Sequence, residues 1–178
     1  MKTERSLKAR ALQLLAQRDQ SRLELRRKLV QHARRRVADA GEAGEIDGAR
    51  DAEALAIEID ALLDWLVAHR FLSDERFVES RVNARQARFG LARIRSELAQ
   101  HDVALPPDLA AALASSELER AAAARERRFA TAPRSAAEQA AQSRFLLGRG
   151  FSPELVGRLM RRLGRAASGD AEPPGDLA

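Results

Sequence analysis

The chain has 178 residues, enough for one large domain or two to three small ones. It contains no cysteine, which removes disulfides, thiolate metal sites, cysteine nucleophiles and iron–sulfur clusters. Ala, Arg and Leu supply 36, 28 and 24 residues, against 13 for Val, Ile and Thr together and no Tyr. So little β-branched and aromatic material predicts an all-α protein.

The net charge of +5 is unevenly spread. Residues 1–36 carry 12 basic and 3 acidic side chains, a net +9, and residues 37–64 carry 1 basic and 9 acidic, a net −8. A basic head beside an acidic segment suggests a polyanion or an acidic protein surface as partner. Of the 31 basic residues 28 are Arg, and with abundant Ala this also matches a GC-rich coding bias. No apolar run has the length a bilayer crossing needs, and the N-terminus leads into an amphipathic helix rather than a signal core. The expectation is a soluble, cytoplasmic, monomeric protein without a membrane partner.

In chain order, Leu7, Ala11, Leu14 and Leu15 form the first helical stripe. Ser21 with Glu24 has the capping-box spacing and opens a very basic helix carrying Leu25 and Leu29. Ile59, Leu62, Leu63, Leu66 and Val67 form the strongest stripe. Ser73 precedes Asp74 and Glu75, which suit the positive end of a helix dipole. Gly90 caps a short turn before Leu91, Ile94 and Leu98. Pro106 and Pro107 open a helix with Leu109 and Leu113. Leu118, Ala122 and Phe129 continue, then Ser135 with Glu138 repeats the box, and Ser152 with Pro153 opens the last stripe, Leu155, Leu159 and Leu163.

These helices repeat. A shift of 69 places residues 6–32 on 75–101 without a gap: Arg26 meets Arg95, Leu29 meets Leu98, His32 meets His101, and Ser21 meets Gly90. A weaker third copy puts Leu146 at the place of Leu29 and Leu98. The predicted fold is an elongated array of three tandem three-helix repeats. Its units are 1–72, 73–115 and 116–164, with a disordered tail over 165–178. The second-helix Leu and the third-helix Leu are 33 residues apart in the first unit, 11 in the second and 9 in the third. The first unit therefore holds an acidic insertion near 33–54, expected as a mobile or partly helical loop.

Catalytic chemistry is missing from the pattern. Gly148-Arg149-Gly150 lacks the last glycine and the preceding strand of a phosphate loop and fits a helix C-cap turn. His32, His69 and His101 are far apart without ligand spacing. No serine stands in a nucleophile-elbow context. The expectation is no enzyme, no metal and no cofactor. The informative groups are basic helix faces: Arg22, Arg26, Arg27 and Lys28; Arg81, Arg85 and Arg88; Arg93 and Arg95; Arg144 and Arg149; Arg158, Arg161 and Arg162. Each is either a solvated, salt-bridged face or a partner-binding surface. Arg26, Arg27, Arg85, Arg95 and Arg149 lead the binding prediction. Trp65, Phe71, Phe77, Phe145 and Phe151 read as core or repeat-junction residues.

The stretch Leu63-Asp-Trp-Leu66, Phe71-Leu72-Ser-Asp74-Glu75-Arg76-Phe77, Arg85, Gly90 and Ile94-Arg95-Ser-Glu97-Leu98 resembles the central signature of the RecX family of RecA regulators. Ser21 to Leu29 resembles that family's first repeat, and Arg144 to Ser152 its third. Asp102 stands where the family often has Gly, and the acidic insertion is a second departure. The resemblance implies a non-enzymatic protein that binds RecA filaments on single-stranded DNA and impedes ATP hydrolysis and strand exchange in DNA repair and the SOS response. It leaves two other possibilities open: a stand-alone protein binding single- or double-stranded DNA through its basic faces, and a helical scaffold for an unrelated partner.

Overall fold

The computed structural model describes residues 6–39 and 48–168. Among the described residues there are nine α-helices and no strand. They are α1 (Leu7–Gln17), α2 (Arg22–Asp39), α3 (Gly48–Ala68), α4 (Asp74–Arg85), α5 (Leu91–Ala99), α6 (Pro107–Ser115), α7 (Glu117–Glu126), α8 (Ala136–Gly148) and α9 (Pro153–Ser168). The chain is thus all-α, with helices following one another in three sets of three.

The serines cap as their spacing predicts. Ser21 Oγ accepts from the Glu24 amide at 3.1 Å, Ser73 from Arg76 at 3.2 Å, Ser135 from Glu138 at 3.2 Å and Ser152 from Leu155 at 3.2 Å. Each satisfies an amide that the first helical turn leaves without a partner. The return half of the box does not form at Ser21, because the Glu24 carboxylate is taken by Arg18 and Lys28.

The equivalent leucines Leu29, Leu98 and Leu146 are all fully buried. The residue four places after each decides where its helix stops. Gly150 has φ +82° and Asp102 φ +57°, the left-handed turn that ends α8 and precedes α6. In the first copy this place is Ala33, buried inside α2, and the helix runs on to Asp39. His32 therefore lies within α2. The flanks of the expected insertion are helical, in α2 and α3, and its middle, 40–47, lies outside the described residues. Likewise α9 takes in residues 165–168 of the expected tail, and 169–178 lie outside the described residues.

The chain divides into two compact units, one built on the residues up to Ser80 with Gln100–Val103, the other on Arg81–Ala99 with the residues from Ala104 on. The first unit holds a core of Leu7, Ala11, Leu14, Leu25, Leu29, Ala33, Ile59, Leu63, Leu66 and Leu72. In the second, Ala121, Ala124, Leu146, Phe151, Leu155, Val156, Leu159 and Met160 form a separate cluster. Each buried Leu, Ile or Phe contributes about 1.5–3 kcal/mol by leaving water. Phe77 and Phe151 are buried as expected, but Phe71 is 47% exposed. Its neighbour Trp65 is half-buried, stacked on His69 at 4.0 Å, with Lys8 Nζ 3.5 Å from its ring centre.

Candidate partner-binding surface

The basic residues separate into those the fold uses and those it leaves outward. On α2, Arg26 makes a bidentate pair with Asp60 of α3, at 2.7 and 3.0 Å. That pair holds the Asp60 carboxyl below the usual carboxylate range, chiefly through the Arg26 hydrogen bond. Arg22 reaches Asp64 at 2.8 Å, and its amide donates to Asp74 Oδ1 at 2.9 Å. Lys28 binds Glu24 at 2.9 Å and Gln20 at 3.0 Å. Burial alone would raise the Glu24 carboxyl, yet hydrogen bonds from Arg18 and Lys28 outweigh it and lower the pKa from 4.5 to about 2. Arg27 is different: it is exposed and has no ion-pair partner among the described residues. Arg34 and Arg35, two turns further along α2, share that state.

The signature around Asp74 is structural. Asp74 receives the Arg22 amide, Phe77 is buried, and Arg76 donates to the carbonyls of Arg70 and Phe71 at 3.1 Å each. Arg76 thereby satisfies acceptors just beyond the end of α3, where a cation also complements the helix dipole.

In the second unit arginines do the same for the end of α4. The Arg120 guanidinium donates to the carbonyls of Gln86 and Phe89 at 2.9 Å each, Arg127 to Ala87 at 2.8 Å and Arg149 to Arg88 at 3.0 Å. Four successive carbonyls thus find guanidinium donors. Arg120 also reaches Leu113 O at 2.7 Å, and burial lowers its pKa, partly countered by Glu117. Around the half-buried Phe89 ring, the guanidinium carbons of Arg85, Arg93 and Arg149 stand 5.5, 5.3 and 5.7 Å from its centre. Arg149 also lies 4.4 Å over Phe145. Arg85 and Arg93 share Glu97, at 3.1 and 3.5 Å. Arg125, buried to 4% exposure, binds Gln142 at 2.8 Å and the Thr131 carbonyl.

Among the predicted residues, Arg88, Arg95, Arg144, Arg158, Arg161 and Arg162 are exposed and have no ion-pair partner among the described residues. Arg81 is half-buried on α4. Arg158, Arg161, Arg162 and the unpredicted Arg165 follow helical three-and-four spacing along α9, so they form one stripe. Arg34, Arg35 and Arg165 stand outside the predicted set, although the first two lie in the visible run Arg34-Arg35-Arg36. The structural Arg120, Arg125 and Arg127 stand outside it too, and no spacing in the sequence signals them. Among the described residues no group of three His, Asp or Glu side chains could hold a metal ion, and no helix is long and apolar enough to cross a membrane.

The family described as RecX, third three-helix domain, matches residues 115–160. Most of the chain is similar to proteins named Regulatory protein RecX. That of Ralstonia pickettii (strain 12J) is 43% identical over 157 residues, covering 87% of this chain and 86% of the relative. That of Herbaspirillum seropedicae is 46% identical over 149 residues, covering 83% and 84%. That of Pseudomonas entomophila (strain L48) is 37% identical over 155 residues, covering 84% and 86%.

Proposed function

The chain belongs to the RecX family, and from that premise we propose that it is a cytoplasmic, monomeric, non-enzymatic regulator that binds RecA filaments on single-stranded DNA. Its binding restrains ATP hydrolysis and strand exchange in DNA repair. The observation that carries this reading is the similarity along more than four-fifths of both chains to proteins named as regulators. The sorting of the arginines supports it. A set of exposed cations without fold partners among the described residues, Arg27, Arg95, Arg144, Arg158, Arg161 and Arg162 on α2, α5, α8 and α9 with Arg88 in the turn after α4, offers many modest contacts. A filament presents the same subunit repeatedly, so such contacts act multivalently. A ligand that prefers one filament conformation shifts the filament towards it.

Co-sedimentation of the full chain with RecA–single-stranded DNA filaments tests this. The expected result is saturable binding, weakened at least tenfold by R95E/R158E/R162E with helicity intact. No co-sedimentation at excess protein would contradict it. A second reading, direct DNA binding, rests on the α9 stripe. Affinity for DNA without RecA, falling steeply with salt, would favour that reading.

A further inference from the structure

Along α2 runs an open groove of about 420 Å³ lined by Arg26, Arg27, Val30, Gln31, Arg34, Arg35 and Ala38. Most of its lining is hydrocarbon, from Val30, Ala38 and the aliphatic stems of the arginines. Among the described residues its lining carries four cations and no acid, and of these cations only Arg26 has a carboxylate partner there, Asp60. The residues recur at three- and four-residue steps over about three turns of helix.

We infer that this groove docks an acidic amphipathic helix of a protein partner, whose apolar face meets Val30 and Ala38 and whose carboxylates pair with Arg27, Arg34 and Arg35. The inference deepens the proposed function and rests on its premise of a protein partner. Two features select this occupant. Guanidinium groups without an ion-pair partner among the described residues favour carboxylates, which they bind in bidentate fashion. The hydrocarbon lining favours an apolar helix face over a sugar–phosphate backbone, which has little apolar surface to bury there. The site is independent of the α9 stripe, which lies in the other unit.

The test uses the full chain and a labelled 18-residue helical peptide of Leu and Glu, with Leu at three- and four-residue steps, followed by fluorescence anisotropy. A 20-nucleotide oligothymidine is the parallel probe. The peptide is expected to bind, and the exposed-site variants R27E/R34E/R35E and Ala38→Glu to weaken it at least tenfold with unchanged circular dichroism. Val30→Ser, which removes hydrocarbon without changing charge, should weaken the peptide several-fold and leave oligothymidine affinity within twofold. The peptide should also relieve inhibition of RecA ATPase by the chain. Peptide affinity unaltered by Ala38→Glu and the triple variant would overturn the inference. So would a Val30→Ser variant that weakens both probes equally or neither. If the wild-type chain fails to inhibit RecA while the peptide results hold, the groove stands and the RecA reading falls.

Discussion

The turn before α2 and the turn before α5 occupy the same place in two repeats, share one device and differ in the rest. At the first, Ser21 caps the helix with its own hydroxyl, and the buried Gln20 beside it bonds Leu14 O and Lys28. At the second, 69 residues on, these places are Gly90 and Phe89. Gly90 has no side chain to serve the third amide of its helix, while the first amide is served at both turns by a carboxylate from further along the chain: Asp74 accepts from Arg22 at 2.9 Å and Glu117 from Leu91 at 2.7 Å. The charges invert as well: Glu24 with Lys28 becomes Arg93 with Glu97. The repeat thus preserves the buried leucines and the borrowed carboxylate on the first amide, while the capping hydroxyl and the i,i+4 charges differ between copies. The second turn is the more committed. A Cβ on Gly90 would stand 2.2 Å from the Gly150 carbonyl oxygen, and the Gly90 amide donates to Arg149 O at 2.9 Å.

The largest expected effect breaks this contrast directly. Gly90→Ala should cost about 3 kcal/mol in urea denaturation, since backbone rather than a flexible side chain must move. The matching Ser21→Gly should cost only a few tenths of a kcal/mol, because Gly is itself a tolerated cap. Equal costs would remove the distinction.

Next comes the borrowed cap. Glu117→Ala leaves the Leu91 amide of α5 without its acceptor and should cost about 1–2 kcal/mol. Glu117→Gln, which keeps an acceptor, should recover part of that. A Glu117→Ala variant as stable as wild type would show that the cap is unimportant.

The first turn carries a pH signature. The Glu24 carboxyl titrates at about 2 in the folded chain against an ordinary 4.5. Its stabilisation is therefore present above pH 4.5 and is lost as pH falls towards 2. With Arg18 half exposed the effect is about 1–2 kcal/mol after screening. Stability measured from pH 6 to pH 2.5 should fall less steeply in Glu24→Gln, and identical slopes would contradict the assignment.

The fold was largely legible. Leucine spacing, serine caps and the 69-residue shift mark the helices, because each depends on neighbours within a turn or on copies in register. Arginine roles were legible only in part. The α9 stripe shows in its own spacing, but Arg120 acts on a carbonyl 31 residues away and Arg149 on one 61 away. A guanidinium aimed at a distant helix end and one aimed at solvent look alike in sequence. Thus Arg26, Arg85 and Arg149, singled out for partner binding, have fold partners, while Arg27 and Arg95 have none among the described residues. The length of α2 follows from Ala33 standing at the place of Asp102 and Gly150, a local cue that the insertion arithmetic did not use.

The smallest expected effect sharpens that last comparison. Asp102 holds a left-handed conformation at the place where the third copy has Gly150. Asp102→Gly should stabilise the chain by about 0.5–1 kcal/mol, the conformational strain relieved less the added freedom of the unfolded chain. A destabilised variant would mean that the Asp102 side chain contributes more than its backbone costs.

The central proposal, that arginines without a partner among the described residues serve a filament partner, meets its most direct test in steady-state ATP hydrolysis by RecA on single-stranded DNA. Titration with the wild-type chain should depress the rate. The variant R27E/R34E/R35E should need at least tenfold more protein for the same inhibition at unchanged helicity. A hydrolysis rate unaltered by excess wild-type chain, or inhibited equally by the variant, would contradict it.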